Sequence, residues 1–241
     1  METVDEIWNW ATELNPDFEE EELTEYLTIY KNVFKYPDRV LEFQKLLTKW
    51  ESSMSARPGI STLALPPWTG INIIENLLDH DSEWELREDD IDVEYIYFYA
   101  NNTIKDKSNE SLNKDLYTGN CLLPHNDNQE DEIESRIFIS NLNNRPVRTG
   151  FWSMNGEVVG DKDLTEELME YYDDIDLSNL EERTNNGILD NVLNVEYNFN
   201  EALFYNAKAF HQPWIDSFYT RDNPRIMLRI GFDFYNLDGR I

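Results

Sequence analysis

The dominant spacing of apolar positions along the chain changes near residue 91. Before that point most of them fall at helical intervals. Val4, Ile7, Trp8, Ala11 and Leu14 recur three and four apart and predict a short amphipathic helix over 4–14. Pro37 and Asp38 open a second helical stretch, in which Val40, Leu41, Phe43, Leu46, Leu47 and Trp50 share one face. A third helix is predicted over 71–80, INIIENLLDH. Between them, LTIYKNVF (27–34) reads as a strand, and the Pro- and Gly-rich 55–70 as an ordered loop or linker. Four glutamates at 19–22 read as a solvated helix start or loop.

Beyond residue 91 the period becomes two. IDVEYIYFYA (91–100) alternates and is rich in Tyr and Ile, as a strand requires. Residues 135–142, 148–156, 194–207 and 224–236 are also strand-like, and 101–115 is polar turn material. The acidic stretch 163–183 is partly helical and stands as an insertion between two strands. Helices followed by many short strands predict an α+β chain whose second half is an antiparallel sandwich or jelly roll. The expected organisation is a single domain over 1–241, mostly helical to residue 80, with the β core over 91–236.

Composition narrows the function classes. Of 241 residues, 49 are acidic and 20 basic, a formal charge of −29. Such a surface repels phosphate backbones and anionic lipid, so neither nucleic acid nor a membrane is an expected partner. Hydrophobic residues at 40% and aromatics at 13% argue for a packed core over disorder. With a single cysteine, Cys121, no internal disulfide or cysteine-based metal site can form. The N-terminus lacks the basic and apolar regions of a signal peptide, and no apolar run approaches the ~20 residues needed to span a bilayer. The expected location is the cytoplasm.

The candidate chemistry lies in the histidines, of which there are three. His80 ends a helix-like run and is expected to be structural. His125 and Asp127, in LLPHNDN, are two apart, so on an extended segment both side chains point to one face. His211 follows the strand-like EALFYNA. Together, His125, Asp127 and His211 have the composition of the two-His-one-carboxylate set that holds Fe(II) while leaving three positions open. Downstream, PRIMLRIGFDF puts Arg225, Met227, Arg229 and Gly231 on one strand face and Ile226, Leu228, Ile230 and Phe232 on the other. Two arginines on a core strand need anionic partners. A ligand carboxylate, paired bidentately, is one solution, and salt bridges within this acidic chain are another.

YTGNCLLPHND resembles the Tyr-x-x-Gly…His-x-Asp segment of Fe(II)/2-oxoglutarate-dependent oxygenases, in particular the prolyl-hydroxylase-like branch with its bacterial and phage relatives. Tyr117 is one residue closer to the glycine than is usual. TGFW (149–152) resembles the family's Thr-x-Phe-Tyr stretch with Trp152 in place of Tyr. FNEALFYNAKAFHQP resembles the strand ending in the distal histidine, and PRIMLRIGF the strand that opens with the co-substrate arginine. YKNVFKYPDRVLEF resembles the strand-to-helix opening of these proteins, so the likeness runs over about 28–236.

The resemblance implies a double-stranded β-helix (jelly-roll) core, with His125, Asp127 and His211 as iron ligands. Arg225 would bind the distal carboxylate of 2-oxoglutarate, with Arg229 as the competing choice, and Tyr117 would line the pocket. Asp127 stands where related halogenases carry Gly or Ala, so hydroxylation is expected, with release of succinate and CO2. The substrate is expected to be a small molecule or a protein side chain. Trp152, Tyr205 and Trp214 are candidate substrate contacts, and 163–183 is a candidate lid. The rivals are a jelly roll kept for non-catalytic binding, since fold does not fix function, and a cupin-like metal enzyme.

Overall fold

The computed structural model describes residues 4–47, 50–52, 60–62, 64–79, 91–101, 124–128, 130, 133–174, 189–214 and 225–234. At its centre is the strand with the two arginines, Arg225–Phe234, flanked on both sides by antiparallel neighbours, Ile91–Asn101 and Glu134–Asn141. Numbered in chain order, these are β11, β5 and β6. The other strands are β1 (Glu19–Thr24), β2 (Leu27–Lys31), β3 (Trp50–Ser52), β4 (Ile60–Thr62), β7 (Val147–Met154), β8 (Leu189–Tyr197), β9 (Ala202–Asn206) and β10 (His211–Trp214). The helices are α1 (Val4–Ala11), α2 (Pro37–Leu46), α3 (Trp68–Asp79) and α4 (Lys162–Asp174).

Two sheets result, one of eight strands in the order β1-β2-β9-β6-β11-β5-β4-β3 and one of three in the order β10-β7-β8. The alternation of β11 explains how each sheet face is covered. Leu228, Ile230 and Phe232 turn outward to a core shared with Trp8 of α1, Val40 and Phe43 of α2, and Ile73, Ile74 and Leu77 of α3. Met227, on the opposite face, joins Ile137, Leu203 and Tyr205 of the large sheet and Val147, Phe151, Val195 and Tyr197 of the small one. The sheets therefore face each other, and three helices cover the back of the larger. Trp8 ties that layer together: its indole N–H donates to the Thr69 carbonyl (2.9 Å) and its ring meets Phe43 and Phe98 edge-on.

The structure departs from the sequence expectation in three places. Glu19–Glu22 belongs to strand β1, paired to β2, and is neither a helix start nor a loop. As an edge strand it has exposed side chains, where charge suits solvent and blocks further pairing. The strand-like stretch 194–207 is two strands in different sheets. Between them Asn200 adopts a left-handed conformation (φ 63°), which asparagine tolerates, and its amide clasps both backbone groups of Phe34 at 2.8 Å. Finally, the N-terminal region adds strands beyond the one expected at 27–34, extending the large sheet at both edges, and Trp50, expected on the face of α2, lies in β3 because that helix ends at Leu46. Among the described residues, no helix is long and apolar enough to cross a membrane.

Phe98 is fully buried between Trp8 and Phe43. Replacing Phe98 with Ala is expected to cost about 3–5 kcal/mol, the usual penalty for emptying an aromatic site, measured by urea unfolding. A loss below about 1 kcal/mol would mean that the helical layer does not depend on this junction.

Candidate metal centre

The site forms where the chain leaves one sheet for the other. β9 ends at Asn206, whose side-chain oxygen accepts the Lys208 N–H while its carbonyl accepts that of Ala209, both at 2.9 Å. This turn carries the chain into the small sheet, where His211 pairs with Phe151 of β7. His211 thus opens β10, whereas the sequence reading had it ending the preceding strand. The segment 124–128 lies along 207–211. His125 and His211 exchange backbone hydrogen bonds of 3.0 and 2.9 Å, and the Asp127 N–H donates to the Ala207 carbonyl at 2.6 Å.

That backbone register brings the predicted ligands together. The metal-binding atoms of His125, Asp127 and His211 all lie within 4.8 Å of one another. His211 Nε2 is 3.3 Å from Asp127 Oδ2, and His125 Nε2 is 4.0 Å from Oδ1. The two rings are 4.3 Å apart between centroids. The Nδ1 of His211 lies 2.9 Å from the Ala209 carbonyl, which assigns the proton to Nδ1 and leaves the Nε2 lone pair facing the carboxylate. Metal–ligand bonds of ~2.0–2.2 Å put neighbouring donors of an octahedral ion ~3 Å apart, so the triad would draw in from its separations of up to 4.8 Å to hold a divalent first-row ion.

Around the triad the interior is polar and compensated. Arg229 forms an ion pair with Asp127 Oδ2, with both side chains buried. Burial disfavours the Arg229 cation, but the Asp127 carboxylate and the tyrosines around it outweigh this and hold it above its ordinary range. Tyr205 reaches Asp127 Oδ2 (3.4 Å) and His211 Nε2 (3.2 Å) through its hydroxyl. Tyr95 stacks on Tyr97, and its ring lies 5.8 Å from the Arg229 guanidinium. Burial pushes the Tyr95 phenol upward, opposed by Arg229, so it stays protonated. Gly231 makes room for that ring, since a Cβ there would lie 2.3 Å from Tyr95 Cζ.

At the rim, Asn128 donates to Ser135 Oγ, and Ser135 donates to Asp233. Burial raises the Asp233 carboxyl above its usual range, the Ser135 bond opposes this, and Asp92 and Glu130 add to the rise. Glu94 is raised by burial first and then by Asp233.

Arg225 is buried on the same strand face as Arg229, two repeats further from the triad. Its Nε donates to Met227 Sδ at 2.8 Å, so the side chain runs back toward the metal-binding end. Trp152 points away from the triad and packs beneath α4 with Phe210. Tyr117, His80, Cys121, 175–183 and the Trp214 side chain lie outside the described residues. The sequence reading did not foresee that Arg229 is paired with Asp127, nor that Ser135 and Asp233 form part of the rim. Alternation in β6 and β11 placed their side chains inward, but nothing local named their partners.

No protein-family model matches the sequence, and no curated protein matches it. Solved structures do resemble it. The epimerase SnoN, solved with Fe3+, alpha ketoglutarate and nogalamycin RO, aligns over 88% of this chain and 82% of its own, with TM-score 0.51 and 13% identity. The alpha ketoglutarate dependent carbocyclase SnoK from nogalamycin biosynthesis aligns over 86% and 80%, with TM-score 0.51 and 12% identity. HygX from Streptomyces hygroscopicus, solved with nickel and 2-oxoglutarate, aligns over 86% and 82%, with TM-score 0.51 and 10% identity. At such identities the likeness establishes a shared fold.

Two outcomes are expected. Arg229→Met removes the buried counter-ion of Asp127 and should cost about 3–5 kcal/mol in urea unfolding, with part regained when Asp127→Asn is added. Independent effects of the two changes would argue against a working ion pair. For Asp233 the folded-state pKa is raised, so its contribution to stability is complete below the ordinary carboxyl range and is lost as pH rises through the raised value. Asp233→Asn should therefore make the decline of stability from acidic to neutral pH shallower than in the native protein.

Proposed function

We propose that this protein is an Fe(II)- and 2-oxoglutarate-dependent dioxygenase on a double-stranded β-helix, hydroxylating a small molecule or a protein side chain. The observation that carries this reading is the convergence of His125, Asp127 and His211 on one point at the junction of two facing sheets. The β5–β11 order, with the large sheet running β9-β6-β11-β5 against β10-β7-β8, supports the jelly-roll description. The fold shared with SnoN, SnoK and HygX supports it further. The prolyl-hydroxylase-like branch remains the reading of the sequence motifs alone. The same proposal includes a single domain over 1–241 and a cytoplasmic setting, which suits a chain with one cysteine.

Bound together, Fe(II) and 2-oxoglutarate supply dioxygen activation and C–H oxidation, and the co-substrate leaves as succinate and CO2. The chain's part is to bind and orient. His125 and His211 would offer neutral Nε2 atoms and Asp127 one carboxylate oxygen. Arg229 and Tyr205, at the other carboxylate oxygen, keep that group in a fixed orientation. Because Arg229 is engaged there, Arg225 is the better choice for the distal carboxylate of 2-oxoglutarate, its side chain directed along the strand toward the triad. Tyr117 would line the pocket. Phe151 and Tyr205, both fully buried beside His211, would keep bulk water from that side of the triad. The formal charge of −29 argues against a nucleic-acid substrate.

The test is anaerobic titration of the full chain with Fe(II) and 2-oxoglutarate, following the metal-to-ligand charge-transfer band. The native protein should show the band, while His125→Ala and Asp127→Ala should lose it. Arg225→Gln should bind metal as the native protein does but weaken 2-oxoglutarate at least tenfold. Folded native protein that binds neither would favour the non-catalytic jelly roll. Retention of 2-oxoglutarate binding by Arg225→Gln would move that role to Arg229.

A further inference from the structure

The insertion between β7 and β8 touches the metal centre from outside, and at two places. Its helix α4 is preceded by Asp161, whose carboxylate accepts the Leu164 N–H at 2.8 Å as an N-cap. One turn in, the buried Thr165 hydroxyl donates to the Asp161 carbonyl (2.8 Å) and accepts from the Asn126 amide (2.7 Å). Asn126 is the middle residue of His-x-Asp, so its side chain leaves the segment on the face opposite the two ligands. Thr165 thus holds the backbone between His125 and Asp127 from behind.

The second contact is made with the residue before His211. Phe210 is fully buried in a cluster with Leu168 of α4, Met154 and Leu189, flanked by Trp152, Leu164 and Tyr171. Ahead of the helix, Gly160 lies so close to the Phe210 ring that a Cβ would sit 2.3 Å from Cζ, and its N–H donates to the Lys208 carbonyl at 3.0 Å. The Phe210 N–H in turn donates to the Val158 carbonyl at 2.9 Å. One continuous segment, 158–168, therefore grips residues 208–210 on one side of the site and Asn126 on the other.

We propose that α4 is a buttress of the metal centre, and that Thr165 is a positioning residue which sets His125 and Asp127 against His211. The inference rests on the triad holding a divalent metal. It replaces the lid expected for 163–183 with a fixed support, at least over the described residues 162–174. The argument is geometric: the ligands come from two segments joined by few backbone bonds, and each segment is also anchored to the same helix. Outer partners that orient metal ligands are typically worth 10–100-fold in metal affinity. Thr165 suits the role because a single hydroxyl both donates to the helix cap and accepts from Asn126. Valine has the same shape and can do neither.

The experiment uses the full chain and Co(II), with affinity read by competition with a chromogenic chelator and geometry by the visible ligand-field bands. Thr165→Val is expected to weaken Co(II) about tenfold and to alter the bands, while Thr165→Ser restores both. Hydrogen exchange on the native protein gives a second readout that needs no variant: Co(II) should slow exchange in α4 as well as in 124–128. Native affinity and bands in Thr165→Val would overturn the inference. If that variant does not fold, Co(II) that protects 124–128 but leaves α4 unchanged overturns it equally. Failure of the native protein to bind Co(II) is a different result, which removes the metal reading itself and the buttress with it.

Discussion

Two backbone hydrogen bonds between His125 and His211 are the constraint on which the site depends. They join segments that are far apart in sequence and fix them in one register, so that side chains on the shared face must meet. A slip of one residue in such a pairing would send either imidazole to the opposite face. The Asp127 N–H bond to the Ala207 carbonyl, outside that register, ties the same two segments together a second time. One anchor, Ala207, lies within the turn at 206–209 where the chain changes sheets, and the other, His211, lies just past it. The position of the site is thus a consequence of the crossover.

Charge inside the sandwich is mixed, whereas charge outside is mostly negative. The surface of this chain carries a large excess of carboxylates, yet its central strand turns two arginines inward. Buried guanidinium groups persist only beside anions. Asp127 supplies one, for Arg229. A divalent cation at the triad would meet a carboxylate already oriented by Arg229 and Tyr205. A metal held there beside both arginines would give the interior more positive than negative charge and so favour anionic oxygen ligands.

The rest of the architecture serves this centre by rigidity. Helices α1 to α3 press on the outer face of the large sheet through Trp8, Phe43 and Phe98, which fixes β5 and β11 and hence Tyr95 and Arg229. Among the described residues, α4 backs the small sheet through Phe210, Leu168 and Met154. Each ligand-bearing element is therefore packed on two sides, once within the sandwich and once against a helix. Sites supported in this way hold geometry better than sites on loops.

Much of this was legible in the chain before folding. Helical spacing located α1, α2 and α3, and alternation assigned the faces of β11 correctly, with Leu228, Ile230 and Phe232 toward the helices and Arg229 toward the site. The two-residue spacing of His125 and Asp127 put both side chains on one face, because the side-chain period of an extended segment is two. The strand with four glutamates at 19–22 was not legible, because pairing with β2 overrides composition when side chains remain in solvent. Nor were the break between β8 and β9, the pairing of Arg229 with Asp127, or the hydrogen bond from Asn126 to Thr165. Sequence by itself determined which residues share a face, since local periodicity is a property of a few consecutive bonds. Which faces meet was decided only by the tertiary structure, because register between distant strands depends on how two whole sheets bury their common core.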